Sequence, residues 1–359
     1  GSFDVVDEDL GQTLTFTPDD ATVGAGTAVW AGGSNTDITT LTAAQQADVA
    51  ALGLGANLTG FAPTTTTGEV QVINYTYTAA AANLDWLDAA ETLTLTYSVT
   101  VSDGTSSYNQ PITITINGTN DAPIAVADTN SVSEDGPILT VAAAGVMIND
   151  TVVDVNDTIT VTAVNGNPAN VGVPIAIGDG GILTLNADGS YSFDPNGQYE
   201  SLDDGENLPQ TVNYTITTDD GSTATTTLVI TVNGVNDAPV AVADVDPTTF
   251  TENVGPTAGS INLNANDTDV DVEPITTVAA ATSSAAGADV VVNADGTYTY
   301  DASSFAGFQA LAAGETTTDT FTYQVTDGDA TSTATVTVTI TGSNDAPTAV
   351  ADAGATDED

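Results

Sequence analysis

The chain has 359 residues, with 49 Asp plus Glu against no Lys, Arg, His or Cys, and a formal net charge of −49. Lacking any cation, it cannot neutralise phosphates, which excludes nucleic acid and anionic membrane as partners. Lacking His, Cys and Lys, it has no Ser-His-Asp or Cys-His nucleophile, Schiff base, imidazole zinc site, disulfide or Lys–Asn isopeptide link.

What survives is carboxylate, hydroxyl, amide and backbone carbonyl, the ligand set of a hard cation such as calcium. Apolar residues make up 41% of the chain, enough for packed cores rather than a solvating acidic tail. At ~100–200 residues per domain the length predicts two to four domains. No apolar run reaches the ~18 residues that would suggest a membrane span. The chain opens on Gly1-Ser2 with no visible signal peptide.

In chain order, the first marker is Glu8 in "DEDLG". The segment "LTAAQQADVAALGLG" (41–55) predicts a helix inserted between strands. Thr42 is its N-cap, Gln45 completes a capping box and Gly53 closes it. "TLTLTYSVTVSDG" (92–104) and "PITITING" then alternate apolar residues with Thr or Ser, the period-2 pattern of strands with one buried face. The same pair of strands returns as "TVNYTITTDDG" (211–221) with "TLVITVNG", and as "TFTYQVTDG" (320–328) with "TVTVTITG". Asp188-Gly189 and Asp295-Gly296 mark further hairpin turns. Six residues before Asp103, Asp220 and Asp327 stand Tyr97, Tyr214 and Phe321, the place of a tyrosine corner or of plain core. Glu91, Glu206 and Glu315 each follow a Leu by four residues, in a segment that reads as a one-turn helical crossover. Trp30 and Trp86 read as core rather than as sugar platforms.

Each copy ends in "NGTNDAPIAVAD" (117–128), "NGVNDAPVAVAD" (233–244) or "TGSNDAPTAVAD" (341–352). An acidic residue follows each joint, at Glu134, Glu252 and Glu358. About 110 residues of short strands per copy suits a seven-stranded Greek-key sandwich. The expectation is an all-β chain of tandem Greek-key β-sandwiches forming an elongated rod. The units are 1–121 with the helical insertion, 122–237, 238–345, and the start of a next repeat at 346–359, as if cut from a longer array.

These joint motifs, with the "YxVtDG"-like strands before them, resemble the VCBS and cadherin-like repeats of giant bacterial surface adhesins. The first unit resembles a VCBS repeat and the other two the cadherin-like variants. The resemblance implies Ig-like extender domains of long secreted proteins, exported by type I secretion, that hold cells to surfaces or to one another. The C-terminal calcium-binding nonapeptide region of such proteins is absent from this stretch. The "ND" before Ala-Pro is similar to the cadherin linker motif, whose acidic residues ligate interdomain calcium.

Three segments could supply oxygens at each joint. They are the turn before the last strand (Asp103, Asp220, Asp327, Asp329), the joint itself (Asn120, Asp121, Asn236, Asp237, Asn344, Asp345) and the start of the next unit (Glu134, Asp135, Glu252, Glu358). Pro123, Pro239 and Pro347 stiffen the exit. The acidic runs at Asp150, Asp154 and Asp157 and at Asp267, Asp269, Asp271 and Glu273 read as a loop-type cation site or as a solvated loop. They are not EF-hands, because Val272 stands where the sixth-position Gly belongs and Val278 where the last Glu belongs. Two carboxylates ~4 Å apart repel by ~4 kcal/mol at an effective dielectric near 20. A domain's net stability is only ~5–15 kcal/mol. Such a cluster therefore stays open to water or takes a cation from solvent.

Competing readings are Asx-turns for each single Asp, salt adaptation for the overall acidity, and ice or sugar binding by the Thr rows. For function, the leading reading is a calcium-stiffened spacer on an extracellular cell surface. Against it stand a donor-strand fibre, a carbohydrate-binding first unit, and a carboxylate-pair glycosidase. Notable carboxylates recur with the repeat, which argues against the last.

Overall fold

Alternating apolar and Thr residues fold as that pattern predicts, into antiparallel strands with one face inward. The structure is a computed structural model that describes residues 1–18, 28–31, 40–52, 58–78, 83–280 and 282–354. The first unit contains β1 (Ser2–Val5), β2 (Thr13–Pro18), β3 (Ala28–Ala31), α1 (Ala43–Ala51), β4 (Leu58–Thr59), β5 (Thr64–Thr65), β6 (Gln71–Asn74), β7 (Thr76–Tyr77), β8 (Thr92–Ser102) and β9 (Ser107–Asn117). Its spine is the long β8–β9 hairpin, and β3 and β2 share the other edge of β8. Thr42 and Gln45 form both halves of the capping box of α1, while Gly53 lies outside the described residues. The helix does more than fill an insertion. Val49 and Leu52 are buried in one core with Trp30, Trp86, Leu95 and Tyr97, and the Tyr97 hydroxyl donates to the Leu52 carbonyl at 2.5 Å. Trp30 and Trp86 meet edge to face at 5.9 Å between ring centroids, so both are core.

The second unit contains β10 (Asp128–Ser133), β11 (Leu139–Val141), β12 (Ile159–Val164), β13 (Ile175–Ile177), β14 (Gly181–Leu185), β15 (Tyr191–Asp194), β16 (Asn207–Thr218) and β17 (Thr223–Asn233). One sheet runs β10-β17-β16-β12 and the facing sheet β11-β15-β14-β13. The third contains β18 (Asp244–Thr251), β19 (Thr257–Ala258), β20 (Thr276–Ala280), β21 (Asp289–Val292), β22 (Tyr298–Asp301), β23 (Thr316–Thr326) and β24 (Thr331–Thr341). Its sheets are β18-β24-β23-β20 and β19-β22-β21. In both units the first strand lies parallel to the last, and the other pairings are antiparallel. This is the Greek-key sandwich expected of the sequence, with each core closed between two sheets.

The aromatic correspondence shifts. Ile216 and Val325 occupy matching places in their hairpins, two positions beyond Tyr214 and Tyr323. Tyr214 therefore matches Tyr323, and Phe321 matches Val212 and Tyr97. Asp220 stands two residues further beyond its strand than Asp327 does, which displaced the count made back from the turn. Tyr214 donates to the Val146 carbonyl and Tyr323 to that of Leu263, so the hydroxyl contact survives in the third unit on Tyr323. The crossover before the penultimate strand is a series of turns, with a short 3-10 turn at Phe308–Ala310 in the third unit.

The Gly of each joint has a steric cause. The carbonyls of Glu91, Glu206 and Glu315 accept the amides of Gly118, Gly234 and Gly342. A Cβ on Gly234 would stand 2.2 Å from the Leu202 carbonyl oxygen, and one on Gly118 2.0 Å from that of Asp88. Only a bare backbone can lie this close to the turn, and this contact fixes where the chain leaves each sandwich. Gly234→Ala is expected to cost roughly 1–3 kcal/mol by overpacking, read as a lower denaturant midpoint with unchanged slope. A midpoint within error of the parent would contradict the steric account.

Candidate cation sites at the joints

Strand parity decides which loops meet. In each Greek-key unit the turn after the first strand and the crossover before the penultimate strand, together with the chain exit, lie at the far end. The loop after the second strand and the turn before the last lie at the near end. The acidic run after β11 or β19 and the turn before β17 or β24 therefore face the preceding joint, while Glu134 and Glu252 face the following one.

At joint one, between the first two units, Asp88, Asp157 and Asp220 bring carboxylate oxygens within 4.8 Å of one another. Asp154 is 1% exposed. Its Oδ2 accepts the Asp121 amide at 2.7 Å, and its Oδ1 is buried with no partner. The Ser222 hydroxyl meets the Asn120 side-chain oxygen. Glu91 is buried here, and Asn156 donates to it at 3.4 Å. An apolar contact backs the acids: the Val155 amide donates to the Trp86 carbonyl at 2.9 Å, and Val155 packs against the core of the first unit.

Joint two repeats the plan. Asp135, Glu200 and Asp237 bring oxygens within 4.8 Å. Asp271 Oδ2 accepts the Asp237 amide at 2.7 Å while its Oδ1 is buried and unpartnered. Glu134 Oε1 accepts the Val235 amide at 2.7 Å, and its Oε2 is likewise buried without a partner. Asp237 Oδ2, Asp269 Oδ2, Glu273 Oε2 and Asn236 Oδ1 share that state. Asn236 donates to Asp327 at 3.5 Å, and Asp329 repels Glu273. Val272, 83% exposed, holds φ +66° between Asp271 and Glu273. A left-handed backbone is thus carried here by a β-branched residue, which adopts it only under strain.

At the third joint Glu252 is fully buried. Its Oε1 accepts the Ser343 amide at 2.6 Å, and its Oε2 has no partner. Asn253 donates to Asp345 at 2.8 Å. Asn344 is exposed, and Glu358 lies outside the described residues.

The three-segment grouping expected from sequence is thus out of phase. Glu134 and Asp135 belong with Asn236-Asp237 rather than with Asn120-Asp121, and Glu252 belongs with Asn344-Asp345. Asp103 lies at the opposite end of the first unit, beside Asp7, Glu8 and Asp9. The amides of Ser106 and Thr105 hold its carboxyl below the usual range, as in an Asx-turn. Asp150 and Asp267 stand apart from the joint acids, bound to the amides of Val126 and Val242. Asp88 and Glu200 were missed; Glu91 and Asp157 were noticed but not placed at the joint. The signal available for Glu91 was its fixed distance from Leu87 before the penultimate strand.

Donor supply separates these acids from other buried ones. Both oxygens of Asp246 receive donors, from Thr248, Ser260 and Tyr298. Those of Asp319 receive them from Ala286, Thr320 and Tyr300. At the joints one oxygen of each clamp is left bare, and a buried bare carboxylate oxygen is costly unless a cation meets it. With no cationic side chain in the sequence, that cation must come from solvent. The oxygen-only donor set fits calcium.

Burial, followed by repulsion from Asp220, Asp154, Asp219 and Asp88, pushes the Asp157 carboxyl up to about 6. In the unfolded chain it titrates near ~3.9. The cation-free folded state therefore binds more protons than the unfolded state between those values, and its stability falls as pH rises through about 6. In chelator the chain should melt at a higher temperature at pH ~5 than at pH ~7.5, with a smaller difference in Asp157→Asn. A melting temperature that rises over that interval would contradict the crowded-carboxylate geometry.

The family described as bacterial cadherin-like domain matches residues 120–234 and 236–342. Among solved structures, the chain is similar to protocadherin gamma B7 extracellular cadherin domains 1–4, at 12% identity and TM-score 0.35, over 69% of this chain and 58% of that one. It is similar to the EC1–3 fragment of a mouse clustered protocadherin, at 12% identity and TM-score 0.38, over 80% and 89%. It is also similar to Drosophila N-cadherin EC1–4, at 10% identity and TM-score 0.26, over 94% and 69%. The chain thus spans little more than half of the protocadherin gamma B7 fragment. No curated protein sequence matches it.

Proposed function

Because the chain belongs to the bacterial cadherin-like domain family, we propose that it is an extracellular adhesion-type spacer whose joints are stiffened by calcium. In its finer form, the chain is an extender segment of a secreted bacterial surface adhesin, projecting distal binding domains for attachment, with a VCBS-like first unit. One observation carries this reading. In both inner joints an acid of the incoming unit clamps a linker amide with one oxygen and buries the other without a partner.

At joint one the residues that would hold calcium are Asp88, Glu91, Asn120, Asp121, Asp154, Asp157 and Asp220. At joint two they are Glu134, Asp135, Glu200, Asn236, Asp237, Asp269, Asp271 and Asp327. Bound there, the ion neutralises carboxylates contributed by two units and ties them to the linker between. The chain's own residues do the rest. The Gly contact fixes the exit, Pro123 and Pro239 remove donors and hold φ, and Ile124 pairs with Thr151 and Val240 with Thr268, which ties the linker end to the acidic loop of its unit.

The family that matches is the bacterial cadherin-like domain, and the clustered acids recur from joint to joint, which argues against a single catalytic carboxylate pair. Neither Trp of the first unit can serve as a sugar platform, because both side chains are buried.

Calcium at a hundredfold excess over its Kd should stabilise by about 2.7 kcal/mol per linked site. For a unit of ~110 residues that is on the order of 10 °C in melting temperature. The double variant Asp154→Asn with Asp271→Asn should lose most of this gain while folding normally in chelator. An undiminished gain in the variant would remove these joints as the calcium sites.

A further inference from the structure

Beyond the joints, the second and third units repeat a second acidic arrangement inside each sandwich. Asp128 opens β10 and Asp244 opens β18, and each lies near the first acid of the following loop, Asp150 or Asp267, which repels it. Asp150 Oδ1 accepts the Val126 amide and Asp267 Oδ1 the Val242 amide, each at 2.7 Å. These contacts fall five residues along the chain from the linker amides clamped by Asp154 and Asp271, so this pair is a separate layer from the joint cluster.

Oxygen atoms outnumber the donors at this place, which are the Tyr323 hydroxyl and the Asn266 side-chain amide, the latter donating to the Val242 carbonyl at 3.2 Å. The Tyr323 hydroxyl has the Val242 carbonyl at 3.0 Å, the Leu263 carbonyl at 3.1 Å, and the two Asp267 oxygens at 3.1 and 3.2 Å. A hydroxyl has one hydrogen to give. Asp244 is only 9% exposed, and its Oδ2 is buried without a partner. In the second unit Tyr214 faces Asp128 at 2.7 Å, the Val146 carbonyl at 2.9 Å and the Val126 carbonyl at 3.4 Å. There the bare buried oxygen is Asp150 Oδ2.

The first unit supplies the contrast. Its Tyr97 and Tyr77 hydroxyls meet each other and the Leu52 carbonyl, with no carboxylate among these partners. At the place of Tyr214 and Tyr323 the first unit carries Val99, so the crowded hydroxyl belongs to the two later units.

We propose that Asp244 with Asp267, and Asp128 with Asp150, each hold a calcium ion inside its own sandwich, separate from any ion at the joints. The neutral oxygens of each site are carbonyls, Val242 and Leu263 in the third unit and Val126 and Val146 in the second. Two carboxylates and a divalent cation balance in charge, and oxygen-only ligation is what calcium takes. The ion would pin the first strand to the loop that faces the joint. Each unit would then be ordered from within before its neighbour docks, so the proposal does not depend on calcium at the joints.

The test counts calcium bound per chain by calorimetric titration of the full chain with Ca²⁺ alone. Asp244→Asn with Asp267→Asn should bind one ion fewer than the parent, and Asp128→Asn with Asp150→Asn likewise. The joint variants Asp154→Asn and Asp271→Asn should leave the two internal ions in place, which separates failure of this proposal from failure of the joint reading. An unchanged count in the internal variants overturns the proposal. An unchanged count together with a higher melting temperature in chelator also overturns it, because the pair then shares a proton. If the internal variants do not fold, anomalous scattering from calcium-grown crystals of the parent decides. A peak between Asp244 and Asp267 supports the site, and its absence overturns it.

Discussion

The joints depend on one interaction, the hydrogen bond from a linker amide to a carboxylate of the unit that follows. Asp121 donates to Asp154 and Asp237 to Asp271, each at 2.7 Å. The bond sets the incoming loop against the linker, and by occupying one oxygen it turns the other into a closed, electronegative space. A buried carboxylate with half its acceptor capacity unmet is a cost that a marginally stable sandwich carries poorly. In a chain with no cationic side chain a cation there would have to come from solvent, and the proposed calcium would make the mechanical state of the joint a function of the medium.

The two inner joints are not mechanically equal. Joint one adds an apolar contact, with Val155 reaching the Trp86 carbonyl and the core of the first unit. At joint two the matching residue is Val272, which is exposed and held in a left-handed conformation. Joint one therefore has a cation-independent element of stiffness, whereas joint two relies more fully on its acids. If calcium fills the joints as proposed, the chain should bend first at joint two when it is removed.

Much of the fold was legible. Period-2 alternation located the long hairpins because one face of each is buried and the other solvated, and the capping box of Thr42 and Gln45 is a local device that needs no tertiary context. The Asn-Asp-Ala-Pro motif marked the joints, but the phase of the ligand groups was not readable. Which end of a sandwich a turn faces depends on the parity of strands before it. Spacing alone therefore placed Glu134 beside Asn120, when the fold carries it to Val235 and Asp237. The tyrosine correspondence failed for a smaller reason: Asp220 lies two residues further beyond its strand than Asp327, which shifted a count made from it. Asp88 and Glu200 escaped because they sit in irregular turns whose lengths differ between units. The approach of Asp128 and Asp150, both half-buried, joins residues 22 positions apart across a loop and had no local signal.

Small-angle scattering of the purified chain in millimolar Ca²⁺ and then in chelator tests most directly whether solvent cations organise the joints. The account predicts a straighter, longer particle in calcium, with a maximum dimension that shortens and a profile that broadens when the ion is removed. Superimposable profiles in the two buffers would contradict it, leaving the bare oxygens of Asp154 and Asp271 to be met by water alone.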